Sequence, residues 1–185
     1  MSAYGAVLID GAAFNNALAW LYQNYPSHQP HPLLAATPYQ ALKAVGPILI
    51  DAPTGSALQR DWFAGAGHMR DAVWMEAEVP IKQLSAALQR RLRIFSPDRR
   101  EFWLRLADAR PLRHAWKAGA QWPEGFWHGI SSVWLHDNGP AQAWFNKDSK
   151  LDCAPRKQGL KAQLTLDWPL LEALTQDVTP ENVTP

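Results

Sequence analysis

The sequence predicts an α/β fold: a layered sandwich in which a mixed β-sheet is flanked by helices, followed by a short, reduced C-terminal helical lobe. Three observations predict it. Two short apolar runs that end in aspartate, "AVLID" at 6–10 and "PILID" at 47–51, have the length and composition of buried strands. Stretches with helical spacing alternate with such runs, which is the order of an α/β chain. A chain of 185 residues, 47% hydrophobic, suffices for one substantial core but not for two full domains.

Residues 6–9 open the sheet. Phe14, Leu18, Leu21 and Tyr25 then fall at i, i+4, i+7 and i+11, a helix that Pro26 ends. A proline-rich loop, "PSHQPHPLL", leads to "TPYQALKAVG", where Thr37 as cap, Pro38 in the first turn and Gly46 past the end predict a short helix. Residues 48–50 form the second strand. Ser56 starts a helix through Leu58, Trp62 and Phe63, and 72–79 is a third strand. From Pro80, a stripe of Ile81, Leu84, Leu88, Leu92 and Phe95 opposite Lys82, Gln83, Gln89, Arg90 and Arg93 predicts an amphipathic helix. In "EFWLRLAD" at 101–108, Phe102, Leu104 and Leu106 alternate with Trp103, Arg105 and Ala107, the period of a strand. Pro111 opens a short helix, and 130–135 and 141–145 are further strands. The expected organisation is an α/β domain over 1–146, a polar linker over 147–159, a helical element over 160–176 capped by Asp167, and a disordered tail over 177–185.

Eighteen basic against seventeen acidic side chains give a formal charge of +1, so there is no bulk attraction to nucleic acid or to an anionic membrane. Residues 1–4 do not form the charged start of a secretory signal, and no apolar run approaches the roughly 18 residues that span a bilayer. The single cysteine, Cys153, excludes an intrachain disulfide. Together these predict a cytoplasmic protein.

Asp10, Asp51 and Asp108 all fall at the predicted ends of strands. Three converging carboxylates there could hold a divalent metal for phosphoryl chemistry, as in a metal-dependent nuclease or phosphatase. The plainer reading is that each caps the next turn or helix by accepting backbone N–H bonds. The second aspartate that haloacid-dehalogenase phosphatases need two residues on is replaced here by Ala12. His28 and His31 lack a third ligand nearby, Cys153 has no nucleophile signature, and Ser56, Ser131 and Ser132 sit in no G-x-S-x-G elbow. No metal, cofactor or catalytic residue is expected. The basic run from Arg90 to Arg100 reads as a solvated helix face. Tryptophan is abundant, ten in the chain, and Trp116, Trp122, Phe126, Trp127, Trp134 and Trp144 crowd the region where regular patterning fails. They predict either a second aromatic core or a surface for recognising a partner.

Four stretches carry a resemblance: "YGAVLIDGA" at 4–12, "HPLLAATPYQALKAVGPILID" at 31–51, "AVWMEAEVPIKQLSAALQRRLRIFSPDRREFWLRLADARPL" at 72–112 and "FWHGISSVW" at 126–134. They are similar to the effector-chaperone or adaptor domain of bacterial type VI secretion, long catalogued as a domain of unknown function. The last strand of that pattern ends in Arg-x-x-Asp-x-Arg, matched here by Arg105, Asp108 and Arg110, with Ala107 and Ala109 where an aromatic residue and proline are usual. Members typically continue into a longer helical C-terminal lobe than this chain has. The resemblance implies a non-catalytic protein that binds the N-terminal region of one secreted effector and helps load it onto the VgrG spike, with no nucleic acid or membrane partner. On that reading Trp116, Trp122, Phe126, Trp127 and Trp134 are candidate anchors, and Asp10, Asp51, Arg105, Asp108 and Arg110 are structural. The alternatives are the metal-dependent enzyme using Asp10, Asp51 and Asp108, and an immunity protein that blocks one toxin.

Overall fold

Among the residues described by the computed structural model, 4–137, 139–145 (backbone alone) and 150–176, eight strands and five helices form. In chain order these are β1 (Tyr4–Asp10), α1 (Ala17–Asn24), β2 (Pro30–Pro32), β3 (Pro47–Asp51), α2 (Ala57–Phe63), β4 (Val73–Ala77) and α3 (Ile81–Gln89). After these come β5 (Arg93–Phe95), β6 (Glu101–Trp103), α4 (Ala109–Lys117), β7 (Ile130–Asp137), β8 (Gly139–Phe145) and α5 (Trp168–Thr175). Six strands make one open sheet in the order β2-β3-β1-β4-β7-β8, and β5 pairs with β6 in a separate hairpin.

The strands at the centre of the sheet are apolar on both faces because both faces are covered. Side chains alternate across a strand, so Ala6 and Leu8 enter one core while Val7 and Ile9 enter the other. Leu49 opposes Ile48 and Ile50 in the same way, and Val73 and Met75 oppose Trp74. The core containing Val7 is closed by α1 and α2 through Ala17, Leu21, Leu58 and Trp62. The larger core, on the opposite face, is closed by α3, α4 and α5 through Leu84, Leu88, Leu112, Ala115 and Leu170. This is the expected α/β layering.

Within that layering, every ladder between named strands is antiparallel, where a mixed sheet was expected. The helical crossovers that suggested parallel neighbours are present, but each skips a position. β1 and β2 run in the same direction with α1 between them in sequence, and β3 occupies the gap between them in space. Likewise β3 and β4 run the same way around α2, and β1 lies between them.

Four local expectations change. "TPYQALKAVG" forms only a 3-10 turn at Gln40–Leu42. The strand expected over 101–108 stops at Trp103, because the Leu106 N–H bonds back to the Leu104 carbonyl and turns both leucines into the core. The helix expected to reach Phe95 ends at Gln89. Its end is set by Arg91, whose side chain is 1% exposed and is not part of a solvated face. Arg91 Nη1 donates to the Ala87 carbonyl at 2.8 Å, the acceptor that its own backbone N–H would use in a continuing helix. Its other nitrogens reach the carbonyls of Gly125 (3.1 Å) and Phe126 and the carboxylate of Asp152. Beyond that break, Leu92 and Ile94 are buried at a spacing of two, the period of a strand.

Asp152 lies in the stretch read as a linker over 147–159, of which 150–159 falls within the described residues. Part of it is docked. Arg90 Nε donates to the Ala154 carbonyl at 2.7 Å, Arg90 Nη2 pairs with Asp152 at 3.0 Å, and Ala154 is fully buried. The tail expected to be disordered, 177–185, lies outside the described residues. Asp167 caps α5 as expected, accepting from Leu170 N at 3.0 Å, and Ser56, where a helix was expected to start, is the cap of α2, accepting from Gln59 N at 3.2 Å.

Replacing Asp152 by Ala leaves the Arg91 guanidinium buried without a counter-charge, so it should cost about 3–5 kcal/mol of unfolding free energy. Urea denaturation of the purified variant measures it; a change of a few tenths would mean that the three carbonyls satisfy Arg91 without the carboxylate.

Candidate functional site

The strand ends with aspartates separate into two places. Antiparallel pairing sets Asp10 opposite Pro47 and Asp51 opposite Ala6, so Asp10 and Asp51 lie at opposite ends of the β1–β3 ladder, on the order of 13 Å apart along it. Asp108, which precedes α4, comes to the Asp10 end. The three-carboxylate convergence that a metal-dependent nuclease or phosphatase would need is therefore broken by the sheet's register. Among the described residues no group of three or more His, Cys, Asp or Glu is placed to hold a metal ion.

At the Asp10 end the carboxylates meet arginines instead. Asp10 accepts from the Ala12 N–H at 3.0 Å, fixing the turn after β1. Asp108 is 3% exposed, caps α4 by accepting from Arg110 N at 3.0 Å, and also accepts from Arg110 Nε at 3.0 Å and Nη2 at 2.9 Å. Arg105 Nη2 lies 2.8 Å from Asp108 and 3.6 Å from Asp10, bridging the two carboxylates. Burial pushes the Asp108 carboxyl up, but the Arg110 side chain and N–H together with the Arg105 charge outweigh it and hold the group below the ordinary range. Two carboxylates and two guanidiniums balance, so this corner is fixed in geometry and close to neutral.

Beside it the surface opens into two apolar bays. The first, about 250 Å³, is bounded by Tyr39, Leu42, Val45, Leu106 and the side chains at 103–105, with Asp10 and Asp108 on its rim. The second, about 230 Å³, lies between β6 and α5, bounded by Ile94, Phe102, Trp168, Leu171 and Leu174. Trp103, Leu104 and Arg105 belong to both. Leu42, Val45, Phe102, Trp103 and Trp168 are each 40% or more exposed, so large apolar side chains face water on both sides of one tryptophan. Trp103 is held edge-on to Tyr39 at 5.0 Å and under the Arg93 guanidinium at 5.3 Å, which fixes its ring without covering it. Arg99 and Arg100 stack likewise on Phe95 and Phe102.

The aromatics singled out in the sequence lie elsewhere. Phe126 and Trp127 are buried in the larger core, and Trp122 packs on both at 4.4 and 5.0 Å. Trp134 is partly buried against the smaller core, its Nε1 donating to Ser132 Oγ at 3.0 Å. Trp116 is partly buried on α4, and the Trp144 side chain lies outside the described residues. Phe126 and Trp127 thus offer no surface to a partner, whereas Phe102, Trp103 and Trp168, which line the bays, are exposed. Their signal was present in the alternation of "EFWLRLAD", which puts Trp103 on the face that carries Arg105. Burial pushes the Cys153 thiol up, which disfavours its nucleophilic form.

Residues 7–123, well over half of the chain, match a family described as a domain of unknown function, DUF4123. The chain belongs to the DUF4123 family. No curated protein and no solved structure gave a match. The span shared with DUF4123 runs from β1 through α4 and contains the whole of the first bay and the Arg105–Asp108–Arg110 corner. The α5 wall of the second bay lies beyond it, so this DUF4123 domain completes its groove with residues from outside the shared span.

Because the folded-state pKa of Asp108 is depressed, the stability it contributes is present above the unfolded-state value near 3.9 and is lost as pH falls through the lower folded-state value. Asp108→Asn should therefore lower the melting temperature at neutral pH, with the gap to wild type closing below about pH 4. Thermal melts of both proteins across that range check it; a gap independent of pH would assign the loss to the fit of the amide in the site rather than to the carboxylate's charge, since Asn keeps the cap acceptor.

Proposed function

We propose that this protein is a non-enzymatic adaptor that binds the N-terminal region of a type VI secretion effector and helps load it onto the VgrG spike. The observation that carries the reading is the apolar groove of two bays, with Trp103 exposed at its centre, beside the arginine–aspartate corner whose residues match the resemblance. Exposed apolar patches rimmed by polar groups mark interaction surfaces, and recognition concentrates on a few aromatic or arginine anchors at their centre. The corner supports the same reading: its charges neutralise one another, so it shapes the rim without attracting a particular sign of charge. Membership of the DUF4123 family is consistent with the proposal, and none of the described helices is long and apolar enough to cross a membrane.

The anchors are assigned to Trp103 and its neighbours Leu42 and Trp168. In a titration against the effector encoded beside this gene, Trp103→Ala should weaken binding by about 2 kcal/mol, roughly thirtyfold. Trp127→Ala should reduce stability instead. Affinity should change little between low and high salt, since long-range attraction is absent. An effector that does not co-purify with the wild-type chain, or that binds Trp103→Ala with full affinity, counts against the assignment.

A further inference from the structure

The β5–β6 hairpin has one covered edge and one open edge. In its register, Ile94 pairs with Phe102, and the flanking bonds Leu104 N–H to Leu92 O (2.8 Å) and Ser96 N–H to Arg100 O (2.9 Å) show which residues face inward. Bonded pairs recur at every second residue of an antiparallel ladder, so Phe102 directs its N–H and C=O toward β5, while Glu101 and Trp103 direct theirs away. The alternation is confirmed on the other strand. Phe95 directs its groups away from β6, donating to Leu164 O and accepting from Leu166 N, both at 2.9 Å. That edge of the hairpin is occupied by the segment before α5. On the β6 edge, the backbone groups of Glu101 and Trp103 have no partner among the described residues, and all three residues of the strand are exposed.

The bays flank this open edge. Period two puts Ile94 and Phe102 on one face of the hairpin, where the α5 bay lies, and Trp103 with Arg93 on the other, where Trp103 meets Tyr39.

We infer that β6 is a docking edge to which an extended segment of the partner adds as a further strand, its successive side chains entering the two bays on opposite faces. The inference rests on the adaptor reading above and gives its partner a chemistry. Four unpartnered backbone groups in line call for an extended chain rather than a helix, whose own N–H and C=O groups are already used. A bay on each face calls for consecutive apolar residues, because neighbours in a strand point to opposite sides. The partner segment is therefore a short uninterrupted apolar run, and an amphipathic helix would leave the edge unpaired.

Glu101→Pro tests this directly. Proline removes the N–H that points away from β5 and leaves the hairpin's own bonds in place, as prolines on open edges do. Glu101→Ala removes the same carboxylate, and with it the 2.6 Å ion pair to Arg93, but keeps the N–H. With the full-length chain and the effector encoded beside its gene, Glu101→Pro should bind about tenfold more weakly than Glu101→Ala at equal melting temperature. In the wild-type complex, amide exchange at Glu101 and Trp103 should slow at least as much, while Phe102, already bonded to Ile94, changes little. Should Glu101→Pro fail to fold, the exchange measurement decides alone. Equal affinities in the two variants, or unchanged exchange at Glu101 and Trp103 in a saturated complex, would overturn the docking edge and leave the adaptor reading standing. Absence of any binding by the wild-type chain would overturn both.

Discussion

A guanidinium that has lost its water needs acceptors for its N–H groups, and Arg91 finds four of them in three separate parts of the chain. Ala87 belongs to α3, Gly125 and Phe126 to the turn before β7, and Asp152 to the segment that leads to α5. Satisfying one side chain thus ends a helix, fixes the approach to a strand and docks a stretch beyond the shared family span. Of these three effects, ending α3 changes the surface most. Once the helix stops, 92–104 fold back as a hairpin instead of adding another turn, and that hairpin carries the exposed Trp103. Burying such a charge is expensive, and replacing a buried ion pair by apolar groups is often neutral or better for stability. Its evident return is positional: it joins parts of the chain that no regular element connects.

The features legible in the sequence are those set by neighbours along the chain. The caps at Ser56 and Asp167 and the two aspartate-terminated strands are determined by residues within a few positions of one another. The features that were not legible depend on distant partners. Arg91 reads as one more basic residue on a helix until Phe126, thirty-five positions later, supplies its acceptor. The strand directions depend on which strand fills the gap left by each crossover, and the spacing of apolar residues carries no information about that. The cluster of aromatics at 116–134 was conspicuous by composition. Burial of Phe126 and Trp127 shows that much of it builds core, while Trp103 stands in a regular strand pattern whose alternation does not mark which face is left open.

The groove joins two parts of the chain with different constraints. The first bay is built wholly within the DUF4123 span, beside a corner whose four charged groups hold one another in place. The second takes one wall from α5, outside that span. Substitutions in α5 would therefore reshape one wall of the groove and leave the frame of the first bay in place.

The strand-skipping crossovers also set the order in which the chain can become a protein. β1 leaves the ribosome before the other strands of its sheet, yet it sits inside that sheet, with β3 on one side and β4 on the other. Neither neighbour exists until synthesis has passed Asp51 and then Ala77, and β7, which pairs with β4, comes more than fifty residues later still. Contacts this distant in sequence slow folding, because long loops must close before any pairing is rewarded. During that interval β1 is an apolar strand with two vacant edges, the kind of segment that aggregates or recruits chaperones.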